Sequence, residues 1–180
     1  MRNLALTNGA LITPFNLIEE ATVLTSQGKI LAAGPRDSVS IPGDFEQVPL
    51  DGLIIAPGLI DQHLHGGGGA AVMDATPESL LEIAKFHASH GTTAFLATTT
   101  SSSRDQLVAV AKAFATFRAS DYKGTRCLGL NLEGPYLSPK FPGMHLANML
   151  RSPSLEEILT IDRISDNGIK MITMAPELAG

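Results

Sequence analysis

The chain has 180 residues, of which 44% are hydrophobic and 17% are charged. This composition is typical of globular proteins with a substantial core and excludes a disordered chain. The net charge of −5 argues against a nucleic-acid partner, because phosphate neutralisation needs a basic face. No apolar run approaches the ~20 residues of a membrane span. The single cysteine, Cys127, excludes an internal disulfide and predicts a reducing, cytoplasmic compartment.

Residues 1–55 predict a small β-sandwich-like domain. Short apolar runs separated by glycine and proline are typical of strands joined by tight turns. The predicted strands cover residues 4–7, 10–13, 23–26 and 29–32. Gln27-Gly28, between the last two runs, indicates a hairpin turn.

Residues 56–180 show strands and helices in alternation, which predicts an α/β fold with βα units on a parallel sheet. The predicted strands cover residues 54–63, 93–98, 126–132 and 170–174. The helix signals are Thr76-Pro77 as a start, His90-Gly91 and Asn167-Gly168 as stops, and two capping boxes, Ser103-x-x-Gln106 and Ser154-x-x-Glu157. We expect the first half of a (β/α)8 TIM-like barrel, which places chemistry at the carboxyl ends of the strands.

The end of the first strand in this region carries the clearest functional signal. His63 and His65 are two residues apart in an extended run, so both imidazoles project from one face of the strand. The glycines at positions 66–69 let the backbone leave the strand in conformations closed to other residues. Asp61 is a candidate to orient this strand through hydrogen bonds. The alternative interpretation is a pair of strand histidines with ordinary structural hydrogen bonds.

Glu133 follows the third predicted strand of this region and precedes Gly134-Pro135. Taken alone, such a residue would more often be a turn residue than a ligand. Because the carboxyl ends of parallel strands meet at one edge of the sheet, we expect Glu133 beside His63 and His65. Two imidazoles and a carboxylate suit Zn²⁺, Fe²⁺, Mn²⁺ or Co²⁺ and do not suit Ca²⁺. The sequence therefore predicts a transition-metal site.

Several segments resemble a known enzyme family. Residues 56–66, APGLIDQHLHG, are similar to the first barrel strand of the amidohydrolase superfamily. Residues 131–139, NLEGPYLSP, together with residues 143–145, GMH, resemble the N-acetylglucosamine-6-phosphate deacetylase family. Residues 27–34, QGKILAAG, and 172–177, ITMAPE, are also similar to that family. The resemblance therefore runs along the whole chain.

The resemblance implies metal-dependent hydrolysis of the acetamide of N-acetylglucosamine 6-phosphate. Glu133 would be the principal metal ligand, and His63 and His65 match positions that are histidines in members with two metals. Met144 and His145 match residues that contact the amino-sugar phosphate substrate. Zn²⁺ or Fe²⁺ is the favoured cofactor, with Mn²⁺ or Co²⁺ as alternatives.

A complete barrel needs about 200–250 residues, so residues 56–180 can supply only about half of one. By resemblance, two further histidine ligands and the catalytic acid/base Asp are expected beyond residue 180. We expect this chain alone to be inactive and to form a homo-oligomer, such as a dimer, through its open sheet edges. Two alternatives remain open: an amidohydrolase that acts on a cyclic amide, and a non-enzymatic binding or assembly fragment.

Structural roles are predicted for several other polar residues. His87 and His90 lie three apart on a predicted helix, and His90 suits a helix carboxyl terminus. Residues 98–103 are interpreted as a loop that ends in a helix cap. Lys140 and Arg151 are candidates for phosphate contacts, but solvated surface charge is the favoured interpretation.

Overall fold

The computed structural model describes residues 2–179 and divides into two compact units, Met1–Pro57 and Gly58–Gly180. Among the described residues, no helix has the length and apolar character needed to cross a bilayer.

The first unit contains five strands: β1 Leu4–Ile12, β2 Leu17–Ser26, β3 Lys29–Pro35, β4 Glu46–Pro49 and β5 Ile54–Ile55. They form one mixed sheet in the order β3-β2-β1-β4, with β5 also paired to β1. Strands β1, β2 and β3 pair antiparallel, whereas β4 and β5 run parallel to β1. Leu11, Ala21 and Val23 form the buried core of this sheet. A second sheet, and with it the expected sandwich, stays a prediction.

The two strands predicted at residues 4–7 and 10–13 are one strand, β1, so that prediction is wrong. Gly9 shifts the register of β1 against β2 and does not end it. Asn8 beside it takes a left-handed conformation, with φ of 60°. A bulge of this kind kinks a strand while pairing continues on both sides. The predicted hairpin is confirmed, because Gln27 and Gly28 have φ values of 50° and 74° and join β2 to β3.

The second unit alternates strands and helices, which confirms the predicted α/β pattern. Its elements are β6 Leu59–Leu64, a small hairpin of β7 Gly66–Gly67 and β8 Ala70–Ala71, α1 Pro77–Ala88, β9 Thr92–Thr98, α2 Arg104–Ala119, β10 Arg126–Glu133, α3 Leu155–Ile164 and β11 Ile169–Thr173. Strands β6, β9, β10 and β11 are parallel and adjacent in chain order. Their carboxyl ends therefore share one edge of the sheet. Closure into a barrel stays a prediction.

The strand predicted at residues 54–63 is in fact two strands that belong to different sheets. Strand β5 pairs with β1, whereas β6 begins at Leu59 and pairs with β9. Residues 56–58 separate the two strands, with Pro57 at their centre. Proline has no backbone N–H and restricts the residue before it, so a continuous ladder through this position is disfavoured.

The helices pack against the four-stranded sheet through apolar side chains. The largest buried cluster joins α1, α2 and the strands and includes Leu80, Ile83, Phe95, Phe114 and Leu130. A second cluster contains Leu107, Ala111, Leu132 and Ile161. This core fixes β9 and β10, and with them the loops at their carboxyl ends.

Both predicted capping boxes place the serine correctly. Ser103 Oγ accepts a hydrogen bond from Gln106 N at 3.2 Å, and Ser154 Oγ accepts one from Glu157 N at 3.3 Å. The side chain of the last residue of each box contacts another segment instead of the cap. Gln106 Nε2 donates to the Met73 carbonyl at 2.7 Å, and the Glu157 carboxylate accepts from Arg151.

Candidate metal centre

Three of the predicted site residues meet at the carboxyl edge of the parallel sheet. His63 lies near the end of β6, His65 follows that strand directly, and Glu133 is the last residue of β10. One ligand atom from each lies within 4.8 Å of the others. The predicted convergence of these residues is therefore confirmed, while their role as metal ligands is a proposal.

The three ligand atoms form a compact triangle. His63 Nε2 and His65 Nε2 are 3.1 Å apart. Glu133 Oε2 lies 3.1 Å from His65 Nε2 and 3.4 Å from His63 Nε2. The side chains of His63 and His65 are 46% and 38% exposed, whereas that of Glu133 is 17% exposed. The triangle thus has a protein side and an open side.

Backbone and side-chain contacts hold the histidines in place. His65 Nδ1 lies 3.1 Å from the Thr98 carbonyl, and Thr98 Oγ1 accepts from Leu64 N at 2.9 Å. Asp61 Oδ1 accepts from His63 N at 3.0 Å, so Asp61 orients the strand as the sequence predicted. Contacts of this type fix the tautomer and direction of a metal-binding imidazole.

The donor set fits a metal ion. The Thr98 carbonyl can only accept, so His65 Nδ1 carries the proton of the neutral ring and the Nε2 lone pair faces Glu133 Oε2. That oxygen is buried and has no hydrogen-bond partner among the described residues. A lone pair and a carboxylate at this distance repel each other unless a proton or a metal ion lies between them. The separations also match the ~3.3 Å expected between ligands 2.0–2.1 Å from a tetrahedral ion.

Comparisons with known proteins show which enzymes this chain is similar to. The N-acetylglucosamine-6-phosphate deacetylase of Vibrio furnissii is 36% identical over 135 residues, which are 75% of this chain and 34% of that protein. The solved structure of the Mycobacterium smegmatis deacetylase with N-acetyl-D-glucosamine-6-phosphate superposes on all of this chain with a TM-score of 0.85 and 26% identity. The chain is therefore similar, in sequence and in fold, to N-acetylglucosamine-6-phosphate deacetylases. No protein-family model matches it.

A related deacetylase with a different named substrate is also similar to this chain. The N-acetylgalactosamine-6-phosphate deacetylase of Escherichia coli O157:H7 is 28% identical over 170 residues, which are 92% of this chain. The chain spans 34% to 45% of the length of the three proteins compared.

The two residues predicted to contact substrate in this family lie on the loop between β10 and α3, but in different settings. His145 lies beside the triangle: its side chain is 6% exposed, and its Nε2 lies 3.7 Å from Glu133 Oε1. His145 Nδ1 accepts a hydrogen bond from Ser101 N at 3.2 Å, so Nε2 carries the proton in the neutral ring. Met144 is 79% exposed, and its substrate contact stays a prediction.

Buried polar residues that the sequence did not mark as functional support the triangle. Thr98 and Asn131 are completely buried, and Asn131 Nδ2 donates to Thr98 Oγ1 at 3.4 Å. The sequence predicts Thr98 as the last residue of a strand and the first of a loop, and Ser101 as part of that loop. A polar residue at the carboxyl end of an otherwise apolar strand is the signal that could have found Thr98.

His87 and His90 have the structural roles predicted for them. His87 Nε2 lies 3.0 Å from the Gly66 carbonyl, and His90 Nδ1 lies 2.8 Å from the Phe86 carbonyl. Both contacts use a backbone oxygen as the acceptor.

Proposed function

We propose that this chain provides a metal-binding part of an enzyme that hydrolyses the acetamide of N-acetylglucosamine 6-phosphate to glucosamine 6-phosphate and acetate. The observation that carries the proposal is the His63, His65 and Glu133 triangle at the carboxyl edge of a parallel sheet. Two proteins named N-acetylglucosamine-6-phosphate deacetylase are similar to this chain in sequence and in fold. Enzymes with (β/α)8 barrels place their active sites at this edge.

Glu133 is the proposed principal ligand, because a carboxylate brings negative charge to a divalent ion. His63 and His65 are the proposed further ligands and make the site competent for a second metal. A set of two imidazoles and one carboxylate favours Zn²⁺ or Fe²⁺, with Mn²⁺ or Co²⁺ as alternatives. When bound, such an ion would lower the pKa of a water molecule bound to it and polarise an amide carbonyl.

The remaining residues of the site orient these groups and the substrate. The Thr98 carbonyl keeps the His65 Nε2 lone pair directed at the triangle. His145 presents an Nε2–H beside Glu133 Oε1, from which it can donate a hydrogen bond to an oxygen of the amino-sugar phosphate. Met144 extends the same loop into solvent, where it can form an outer wall of the substrate site.

Amide hydrolysis also needs an acid that protonates the leaving amine. We propose that this role belongs to an Asp beyond residue 180, and we assign no acid/base residue within the chain. The chain alone is therefore expected to bind metal without turning over substrate.

N-acetylgalactosamine 6-phosphate is the second candidate substrate. The similarity to the E. coli N-acetylgalactosamine-6-phosphate deacetylase extends over 92% of this chain, so the site shown here is compatible with either named sugar. The two sugars differ in the orientation of one hydroxyl group. A comparison of acetate release from both separates the candidates.

We also propose that the chain forms a homodimer. Strands β6 and β11 are the two ends of the parallel sheet. Leu59 and Ile60 on β6 are 63% and 64% exposed, and exposed apolar edge strands favour pairing with another strand. Light scattering of the purified chain tests the mass.

A cytoplasmic location is proposed from the single cysteine. Burial raises the pKa of the Cys127 thiol to about 11, so the free thiol stays protonated and unreactive.

The activity is tested by joining residues 1–180 to the complementary part of a family member and measuring acetate release. We expect turnover of N-acetylglucosamine 6-phosphate, which Glu133→Gln abolishes because a neutral amide is a poor ligand of similar volume. Glu156→Gln, an exposed glutamate on α3, is the matched control and should retain activity. Normal metal content and activity in Glu133→Gln would refute the proposal.

A further inference from the structure

The loop from Gly134 to Arg151 carries His145 and is tied at both ends by one residue. Arg151 N donates to the Pro135 carbonyl at 3.0 Å, which joins the end of the loop to its beginning. Pro135 lies two residues after Glu133 in the chain. The backbone of Arg151 therefore closes the loop directly beside the metal centre.

The side chain of Arg151 connects this loop to two other segments. Its Nε and Nη2 donate to the Glu157 carboxylate at 3.1 Å and 2.5 Å, and Glu157 lies in the first turn of α3. Its Nη1 donates to the Ser102 carbonyl at 2.8 Å and to the Met149 carbonyl at 3.1 Å. The interpretation of Arg151 as a solvated surface charge is therefore wrong.

Arg151 and Glu157 form an ion pair with a fixed geometry. Glu157 is 5% exposed, and a buried carboxylate is strongly destabilising without a partner. The hydrogen bond to Glu157 raises the pKa of Arg151, so the guanidinium stays charged. Two parallel N–H bonds to one carboxylate fix the plane of the guanidinium as well as its position.

Ser102 links this pair to His145. Arg151 holds the Ser102 carbonyl, and the N–H of the neighbouring Ser101 donates to His145 Nδ1. That bond sets the ring of His145 with Nε2–H towards Glu133 Oε1 and leaves Glu133 Oε2 beside the two strand histidines. A path of direct contacts therefore runs from Arg151 to the carboxylate of the metal centre.

We propose that Arg151, with Glu157, is a positioning residue that fixes the tautomer and orientation of His145 through residues 101–102. Through His145, Arg151 keeps Glu133 Oε1 beside the His145 ring and Glu133 Oε2 beside His63 and His65. Arg151 touches none of the three triangle residues and acts on them only through this path. The inference rests on the proposed function only in treating the triangle as a metal site.

The chain contains a matched control pair. Arg104 Nη2 lies 3.3 Å from Glu156 Oε1, and the two side chains are 51% and 83% exposed. Glu156 is the neighbour of Glu157 in the same helical turn. Exposed pairs of this type contribute little, so Arg104→Met and Glu156→Gln match the chemistry of Arg151→Met and Glu157→Gln without the proposed effect.

The first readout is the ¹⁵N NMR pattern of the histidine rings in the metal-free chain at about pH 8.5, where an ordinary imidazole is neutral. In the unsubstituted chain, we expect His145 to show a fixed Nε2–H tautomer. Arg151→Met should convert it to an average of both tautomers. His87, whose Nε2 donates to the Gly66 carbonyl on a different path, should keep its fixed pattern and so report that the fold is intact.

The second readout is Co²⁺ affinity by visible absorption. We expect Arg151→Met to weaken binding about 10-fold, as outer contacts of metal ligands typically do, and Arg104→Met to change it less than two-fold. Glu157→Gln should act in the same direction as Arg151→Met and decides the matter if Arg151→Met does not fold.

Two results would overturn the inference: an unchanged His145 pattern in both variants of the pair, or simultaneous loss of the His145 and His87 patterns, which would indicate general loosening. Failure of the unsubstituted chain to bind Co²⁺, with His145 still dependent on Arg151, would contradict the proposed function and leave the positioning role in place.

Discussion

The end of β6 and the end of α1 each carry two histidines, but the two pairs are used in opposite ways. His63 and His65 direct their Nε2 atoms at each other and at a carboxylate. His87 and His90 each contact a backbone carbonyl, so a ring N–H of each is already occupied. We expect a lone pair left facing other ligand atoms, more than the proximity of two imidazoles, to distinguish a metal site.

Glu133→Gln should lower metal affinity more than any other substitution, because a carboxylate faces His63 and His65 and none is described beside the ring nitrogens of His87 and His90. Loss of an outer contact of a metal ligand typically lowers metal affinity about 10–100-fold. Loss of the anionic ligand itself should therefore lower the affinity more than ~100-fold. Titration of the chain with Zn²⁺ by calorimetry measures this. Near-normal affinity would remove Glu133 from the site.

His65→Ala and His90→Ala form a direct test of the two pairs. We expect the first to weaken Zn²⁺ binding by at least ~10-fold and the second to leave it unchanged. Both affinities come from the same titration, and thermal unfolding of each variant checks the fold. Equal effects of the two substitutions would contradict the distinction between the pairs.

Thr98→Val tests the buried hydrogen bond that holds the strand between His63 and His65. Valine keeps the shape of threonine but leaves the buried Leu64 N–H without its acceptor, which should cost about 1–3 kcal/mol of unfolding free energy. Because Leu64 lies between the two histidines, metal affinity should also fall by about 10-fold. Thr98→Ser keeps the hydroxyl and is the control. Chemical denaturation and metal titration give the two values.

His87→Ala should have a smaller effect than Thr98→Val and sharpens the comparison at the helix. Loss of the contact with the Gly66 carbonyl should lower the unfolding free energy by about 1 kcal/mol. Because Gly66 adjoins His65, a change of a few-fold in metal affinity is consistent with this role. A change as large as that of His65→Ala would make His87 part of the centre.

Local patterns in the sequence predicted several features of both units. The Ser103 and Ser154 caps and the hairpin at Gln27-Gly28 depend on atoms within three residues of each other, and all are confirmed. The common face of His63 and His65 follows from the extended backbone alone. Even Glu133 could be placed beside them, because parallel strands share the direction of their carboxyl ends.

Tertiary contacts decided the rest, because each depends on residues far apart in the chain. The Thr98 carbonyl and the Arg151 guanidinium meet partners 33 and 49 residues away, and no periodicity encodes such pairings. Glu157 is only six residues from Arg151, yet local rules directed its carboxylate to its own helix cap, whereas the fold pairs it with Arg151. The sequence by itself thus determined which elements form and which faces they present. Only packing decided which polar atoms are hydrogen-bonded to each other, because the partners come within bonding distance only in the folded chain.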